Sequence, residues 1–373
     1  MELHLISFNV PSPPDYGGVI DVFYKIKALF EIGVKVHLHS FEYGRPHDEA
    51  LNELCKSVTY YKRSSGMKYH FQRIPYIVAT RNSKTLIDNL KKDDFPIIYE
   101  GLHTTYPLYF DLLGHNRIQI VRSHNIEHNY YSGLSSLDDN PVSKIFHGIE
   151  AMKLKPYEAV LNKASAIAAI SNNDAHYLNQ AYGKTTLIPA FHRFDCMSSH
   201  SGFGDYCLYH SDLSVIENQQ VAEFLIKKVF ADLDFKLIIA GRNPSPSLFK
   251  LVKKAKNVSL FSNLSREYLD RLIQEAQVNI LPVFFSNGIK LKLLSALYQG
   301  RHCLVNTPMV EGTGLEGLCH IANTEMEFVE KIIKLMFTTF DEREMEKRKK
   351  ILETEYSNVD NARKLIGLIE KNQ

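Results

Sequence analysis

Short apolar runs alternate with longer amphipathic segments along the whole chain, and this alternation constrains the fold more than any other feature. The alternation is typical of parallel sheets covered by helices on both faces. With 373 residues, the chain is long enough for two such domains, each with its own core. We therefore predict an α/β fold with two doubly wound sheets. The predicted strands are Glu2–Phe8, Lys35–Ser40, Pro96–Tyr99, Arg117–Arg122 and Ala166–Ile170, then Tyr206–His210, Lys236–Ala240, Val258–Phe261, Val278–Pro282 and His302–Asn306.

The segment from Pro189 to Gly204 separates the two sets of strands. It contains three serines and two glycines, a composition typical of a linker. We therefore predict an N-terminal domain at 1–192, a second domain at 204–355 and a closing helix at 356–373. Open α/β sheets bind ligands beyond the carboxyl ends of their strands, so two such sheets are expected to face a ligand-binding cleft.

Composition excludes several classes of protein. The formal net charge of +2 gives no whole-protein argument for binding nucleic acid. Five cysteines without a CxxC pair argue against a disulfide framework and against a zinc site. The first residues show an apolar strand pattern instead of a signal peptide, and no apolar run reaches 18 residues. We expect a cytoplasmic protein.

A glycine pair, Gly17 and Gly18, lies between the first predicted strand and a predicted helix. Glycines allow close approach of the backbone to a ligand, and the N-terminus of a helix attracts anions. This segment therefore predicts a phosphate or sugar contact. The alternative is a tight strand-to-helix turn.

A second polar segment directly follows the strand that ends at Arg122 and contains His124, Asn125, Glu127 and His128. His124 is suited to bind a sugar hydroxyl or a phosphate oxygen, and Glu127 to orient it or an acceptor. No third His or Cys follows at a ligand spacing, so a metal site is not expected. The alternative is a structural role for His124.

A third segment contains Asn287 and Gly288 in a loop, then Lys290 and Lys292 at the start of a predicted helix. Two lysines in the first turn of a helix oppose the helix dipole. A bound diphosphate would resolve this conflict. The alternative is that both lysines are solvated.

The segment beginning at Lys292 reads KLLSALYQG and resembles the K-x-L-E-A-x-x-x-G helix of retaining GT-B glycosyltransferases of family 4 type, which include mannosyltransferase-like members. The strand and loop that follow, with the E-G pair at Glu311, are similar to the same family. The strand ending at Arg242 and the Gly33-Val-Lys-Val-His-Leu segment also fit, and the motifs occur in the family's order over most of the chain.

This resemblance implies the GT-B fold, in which two Rossmann-like doubly wound domains face a cleft. It also implies transfer of a hexose from a UDP- or GDP-linked donor to a glycan or lipid-linked acceptor, with retention and without a metal or cofactor. The catalytic candidates are His124, Asn125 and Glu127. The donor-binding candidates are Gly17, Gly18, Arg242, Asn287, Gly288, Lys290, Lys292, Ser295 and Glu311.

The chain departs from the family at two positions. Members carry two glutamates eight residues apart, and this chain has Asn287 and Ser295 there. Serine is too short to hold two ribose hydroxyls, whereas asparagine can still bond a sugar. Two alternatives to a transferase follow, namely a sugar-nucleotide-binding protein without turnover and a GT-B sugar-nucleotide epimerase.

The window Lys56–Lys84 contains seven Lys/Arg, five aromatic residues and no Asp or Glu. This mixture is suited to an anionic membrane surface, so we predict peripheral contact with the inner face of the membrane through residues 56–84. The alternatives are an ordinary solvated loop and binding of single-stranded nucleic acid.

Overall fold

The computed structural model describes residues 1–137, 140–284 and 290–372, which divide into two compact units. The first unit comprises residues 1–193 and 356–372, and the second comprises residues 194–284 and 290–355. Two predicted site residues, Asn287 and Gly288, lie outside the described residues.

The first unit contains a parallel sheet of seven strands in the order β3-β2-β1-β4-β5-β6-β7. The order reverses between β1 and β4, which is the switch point of a doubly wound sheet. This confirms the predicted fold class for the first half of the chain. The strands are β1 Glu2–Ser7, β2 Lys35–Glu42, β3 Ser57–Lys62, β4 Ile97–Glu100, β5 Gln119–Ser123, β6 Ala166–Ala169 and β7 Thr185–Leu187.

Successive residues of the central strands point to opposite faces of this sheet, and both faces are apolar. Leu5 and Ile98 belong to one buried cluster, whereas Ile6 and Tyr99 belong to another. A strand buried on both faces reads as a continuous apolar run, which explains why the sequence predicts it well. The helices over these faces are α1 Gly17–Glu31, α2 Ala50–Leu54, α3 Tyr76–Ala79, α4 Lys84–Leu90, α5 Tyr106–Tyr109, α6 Glu127–Leu137, α7 Pro141–Tyr157 and α8 Asn172–Tyr182. Short 3₁₀ turns occupy Met67–Tyr69, Leu102–Thr104 and Glu158–Lys163.

The second unit repeats the architecture with six parallel strands in the order β10-β9-β8-β11-β12-β13. They are β8 Tyr206–Asp212, β9 Lys236–Arg242, β10 Val258–Ser262, β11 Val278–Ile280, β12 His302–Val305 and β13 His320–Ile321. Its helices are α9 Ile216–Phe224, continued by a π-helical turn at Leu225–Val229, α10 Pro246–Val252, α11 Arg266–Glu275, α12 Leu291–Gln299, α13 Thr307–Val310, α14 Glu325–Met336 and α15 Glu342–Glu355. A 3₁₀ turn occupies Glu316–Leu318. Within the described ranges, no helix is both long and apolar enough to cross a bilayer.

The last helix, α16 Asn358–Glu370, returns to the first unit. Its apolar residues Leu365 and Ile369 are buried in the same cluster as Leu29 of α1. The Asn358 side chain fixes its start, because it donates to the carbonyl of His192 at 2.6 Å and accepts from the same residue's N–H at 3.1 Å. The chain therefore enters the second unit and comes back to complete the first.

The basic window Lys56–Lys84 is more ordered than a loop. It contains the edge strand β3, and Tyr61, Tyr69 and Arg81 are buried. The Arg81 guanidinium donates to the carbonyls of Phe8 and Ile77 at 3.0 and 2.6 Å. The alternative of an ordinary solvated loop is therefore wrong for these parts of the window.

Candidate functional site

A buried ionic network lies at the carboxyl ends of β4 and β5 in the first unit. The Lys25 ammonium of α1 donates to Asp21 at 2.9 Å and to both carboxylate oxygens of Glu100 at 2.7 and 2.8 Å. The Arg122 guanidinium donates to Asp21 at 2.9 Å. Burial alone would raise the pKa of Asp21, but Arg122 and Lys25 hold it well below its ordinary value. Two cations thus balance two carboxylates, and all four side chains are fully buried.

His124 is attached to this network. Its Nε2 lies 2.8 Å from a carboxylate oxygen of Glu100, and its ring meets the Phe8 ring edge-on at 5.6 Å. Among the described residues, its buried Nδ1 has no hydrogen-bond partner, and the same holds for Asn125 Oδ1, Glu127 Oε1 and His103 Nδ1. Buried polar atoms are nearly always bonded, so an unbonded group of them in one place indicates a ligand or bound water. The structure brings all three predicted catalytic residues to this place.

Glu127 opens α6 and is only 2% exposed. Burial raises the pKa of its carboxyl to about 8, although the Asn125 side chain and Arg81 lower it in part. At neutral pH this carboxyl is therefore mostly protonated and can donate a hydrogen bond.

His103 lies beside Glu127, with 3.9 Å between His103 Nδ1 and Glu127 Oε1. None of the motifs predicted from the sequence contains this histidine. Burial and the nearby Arg81 lower the pKa of this imidazole, so it is neutral and can accept. His103 follows β4 at the carboxyl edge of the sheet. The position of polar residues after central strands is the signal that would have found it.

The side chains of Asp21, Glu100 and His124 are close enough to share a metal ion, because their ligand atoms all lie within 4.8 Å of one another. However, the Lys25 ammonium already bonds both carboxylates. The cluster has its positive charge from the protein itself. These contacts favour a structural ion network, and the absence of a metal stays a prediction.

The two glycines at the start of α1 differ in their surroundings. A Cβ on Gly18 would lie 2.6 Å from the tip of the Phe8 ring, so a side chain there would displace this ring. A Cβ on Gly17 would meet nothing within 4 Å. Tyr16, which precedes α1, provides no side-chain cap. The tight-turn alternative therefore explains Gly18, whereas Gly17 and the α1 amides remain candidates for a ligand contact.

In the second unit, Lys292 lies near the carboxyl end of β8. Lys290 precedes α12 at the N-cap position, and Lys292 is the second helical residue. Among the described residues, the Lys292 ammonium has two long contacts with neutral groups, Asn218 Oδ1 at 3.3 Å and Ser211 Oγ at 3.5 Å. Burial lowers the pKa of Lys292 to about 8, against the opposing effect of Glu217. A desolvated ammonium at a helix N-terminus is suited to bind an anion.

The other donor-binding candidates are placed differently. Arg242 ends β9 and lies 3.3 Å from Asp212 at the end of β8, on the same edge of the sheet as Lys292. Ser295 is 7% exposed, and its hydroxyl donates to the carbonyl of Leu291 in its own helix at 3.1 Å. Glu311 is exposed in the loop that follows α13.

Comparisons with known proteins extend over the whole chain. No family model matches the sequence. A Klebsiella pneumoniae protein described as an uncharacterized 44.6 kDa protein in the cps region is 26% identical over 356 residues, which are 88% of this chain and 89% of that protein. A structure of a Staphylococcus aureus TarM mutant with fondaparinux, α-GlcNAc-glycerol and UDP has a TM-score of 0.67 at 12% identity and covers 99% of both chains. The lipopolysaccharide outer core galactosyltransferase WaaB, in its apo form, has a TM-score of 0.65 at 13% identity and covers 100% of both. These likenesses show that the chain has the GT-B glycosyltransferase fold.

Proposed function

We propose that this chain is a glycosyltransferase that moves a hexose from a UDP- or GDP-linked donor to a glycan or a lipid-linked acceptor. The observation that carries the proposal is Lys292, a partly buried lysine with long contacts to neutral groups at the start of α12. It lies in a domain whose fold is shared with a protein that was solved with UDP. A nucleoside diphosphate would provide direct negative partners for this ammonium, whose hydrogen-bond contacts among the described residues are to neutral groups.

The second unit would stabilise the leaving group. Cleavage of the sugar–phosphate bond leaves an additional negative charge on the diphosphate. The Lys292 ammonium, Lys290 and the amides at the start of α12 would bind this charge without a metal ion. Arg242, on the same edge of the sheet, is a second candidate for donor contact.

The first unit would bind sugar hydroxyls. The protonated Glu127 carboxyl can donate a hydrogen bond, and the neutral His103 can accept one. His124 is bonded to Glu100, and its Nδ1 has no partner within the part of the chain that the structure describes. A hydroxyl, which both donates and accepts, satisfies such a set. Retention of the anomeric configuration rests on the family resemblance, and NMR of the product's anomeric proton tests it.

Release of nucleoside diphosphate from a panel of UDP- and GDP-sugars tests the proposal, with and without EDTA. We expect release from at least one donor, unchanged by EDTA and lost in Lys292→Met. Strict dependence on magnesium or manganese would contradict the metal-independent mechanism. Conversion of one sugar nucleotide to another without release would identify an epimerase.

A second candidate function is binding without turnover, and Ser295 favours it. The family's glutamate is absent at this position, and the serine hydroxyl bonds its own helix. Tight binding of a sugar nucleotide without release, in the presence of candidate acceptors, would support this alternative.

We also propose a cytoplasmic location with contact to the inner face of a membrane through the exposed parts of residues 56–84. The exposed basic residues of this window are Lys56, Lys62, Lys68, Arg73 and Lys84. Phe71, between two of them, is 82% exposed. This combination is suited to lipid headgroups.

A further inference from the structure

The outward face of α7 is apolar. Val142, Ile145, Ile149 and Met152 are 77%, 63%, 42% and 70% exposed. Their spacing of three, four and three residues places them on one side of the helix. A surface helix normally presents polar residues to water, so a continuous apolar stripe indicates a partner.

The opposite side of the same helix is packed in the protein. Ala151, Leu154 and Tyr157 are buried, together with Glu150. The helix is therefore held firmly by its inner face. The outward stripe is a second apolar face of the helix, and much of it is exposed.

A neighbouring segment extends this apolar surface. The Lys153 ammonium of α7 donates to the carbonyl of His70 at 2.6 Å, and the His70 ring meets the Phe146 ring at 5.4 Å. On either side of His70 in the sequence, Met67 is 70% exposed and Phe71 is 82% exposed. The segment 67–73 therefore adds two large apolar side chains beside the stripe.

The charges around this surface are positive. Lys144 and Lys155 of α7 are exposed, as are Lys68 and Arg73 of the neighbouring segment. The only carboxylate of α7, Glu150, is 1% exposed and accepts the N–H of Tyr76 at 2.7 Å. In sequence, two aspartates at 138 and 139 precede α7, outside the described residues.

We propose that α7 and the segment 67–73, together the α7 face, dock on the surface of an anionic lipid bilayer. The apolar stripe would enter the interface while the surrounding cations bind acidic headgroups. A second copy of the chain fits less well, because a symmetric contact would bring the same cations against each other. The α7 face specifies how the membrane contact through residues 56–84 would form. This inference rests on the proposed function, in which a lipid-linked acceptor would be reached at the membrane.

A groove of mixed polar and apolar lining beside the stripe supports a lipid surface over a purely apolar partner. It has a volume of about 380 Å³ and lies between α6 and α7. Its lining includes Ser132, Ser135, Asn129 and Lys155, and Met152 of the stripe borders it. These hydroxyl, amide and ammonium groups are suited to bind a lipid headgroup next to the apolar stripe.

Co-sedimentation of the full chain with vesicles tests the proposal, without donor or acceptor. We expect binding to vesicles of phosphatidylglycerol and phosphatidylcholine, and none to phosphatidylcholine alone. The double change Ile145→Ser with Ile149→Ser should weaken this binding roughly tenfold or more, because both side chains would leave the interface. Lys144→Glu with Lys155→Glu should weaken it by a similar factor through charge.

The matched control is Met326→Ser with Ile333→Ser on α14, which changes two exposed apolar residues of the second unit and should leave binding unchanged. Failure of the wild-type chain to sediment with either vesicle overturns the proposal. So does a dimer in sedimentation velocity that the Ile145 and Ile149 changes dissolve, which would assign the face to a second copy. Nucleotide binding, measured on the same preparations, separates either result from a failure of the proposed function.

Discussion

The two units use buried positive charge in opposite ways. In the first unit, Lys25 has three short contacts to two carboxylates at 2.7 to 2.9 Å. In the second unit, Lys292 has two long contacts to neutral groups, and burial lowers its pKa to about 8. The first lysine is compensated by direct ion pairs, whereas the second has no carboxylate in hydrogen-bond contact among the described residues, and Glu217 only partly offsets its desolvation.

This difference shows how to decide whether a buried charged side chain stabilises the fold or binds a ligand. Desolvation of an ion is costly, so the fold must provide a counter-charge or a ligand must bring one. Removing Lys25 should therefore damage the fold, and removing Lys292 should damage binding. Stability and ligand affinity, measured on variants of the two lysines, test this separation.

The largest effect is expected for Lys25→Met. This change leaves Asp21 and Glu100 buried with too little positive charge, which costs about 3–5 kcal/mol. Denaturant unfolding of the first unit would measure it. Lys27→Met on the same helix, whose partner Glu31 lies 3.7 Å away near the surface, is the control and should cost less than about 1 kcal/mol. Equal losses of stability for Lys25→Met and Lys27→Met would show that Lys25 is not a structural charge.

Glu127→Gln should change how stability depends on pH. The folded-state pKa of Glu127 is about 8, above its ordinary value of 4.5. Between these values the unfolded chain releases the proton and the folded chain keeps it, so stability falls as pH rises and levels off above about pH 8. The variant, which cannot ionise there, should lose this dependence, a gain of about 4 kcal/mol at pH 8.

Melting temperatures between pH 5 and pH 9 would measure this, with the exposed Glu346→Gln as the control. Parallel pH curves for wild type and Glu127→Gln would show that Glu127 is ionised in the folded protein.

Lys292→Met should weaken binding of a nucleoside diphosphate by about 10- to 150-fold, since a hydrogen bond to a charged group contributes about 1.5–3 kcal/mol. Binding of the nucleoside alone should be unchanged. In the wild type, affinity for the diphosphate should fall as pH rises through about 8, because Lys292 loses its proton there. Lys292→Arg should keep its charge and its affinity at pH 9.

Isothermal titration calorimetry would provide these constants, with Lys250→Met, an exposed lysine of α10, as the control. Equal losses for nucleoside and diphosphate would mean that Lys292 does not contact phosphate.

The smallest effect is expected for Ser295→Ala. The Ser295 hydroxyl bonds its own helix, so its loss should change stability by about 1 kcal/mol or less and nucleotide affinity by about twofold or less. A drop of tenfold or more in nucleotide affinity, with unchanged melting, would show that this serine turns to hold the donor.

The sequence predicts the central strands of both sheets because each is buried on two faces and reads as an apolar run. It does not predict β3, an edge strand with Ser57 and Lys62 exposed at its ends, nor the short edge strands β7 and β13. Such strands carry few apolar residues, and their pairing depends on neighbours far away in sequence. Strand β3 also orders part of the basic window Lys56–Lys84, which is therefore not a solvated loop throughout.

For the site, residue chemistry identifies His124, Glu127 and Lys292 as candidates. It cannot show that Lys25 bonds Glu100, 75 positions away, because that contact is formed only by the sheet. It also cannot show that Glu127 is buried enough to stay protonated. Burial and long-range pairing decide which charged residue belongs to the scaffold, and both are properties of the folded chain.

The return of α16 to the first unit has a consequence for synthesis of the protein. A domain formed from one continuous stretch can fold while the ribosome is still translating the next. Here the first unit needs Leu365 and Ile369, which are made after the whole of the second unit. Its core therefore stays open until the second unit has been translated. A nonsense mutation between the second unit and α16 would damage the domain that was begun first.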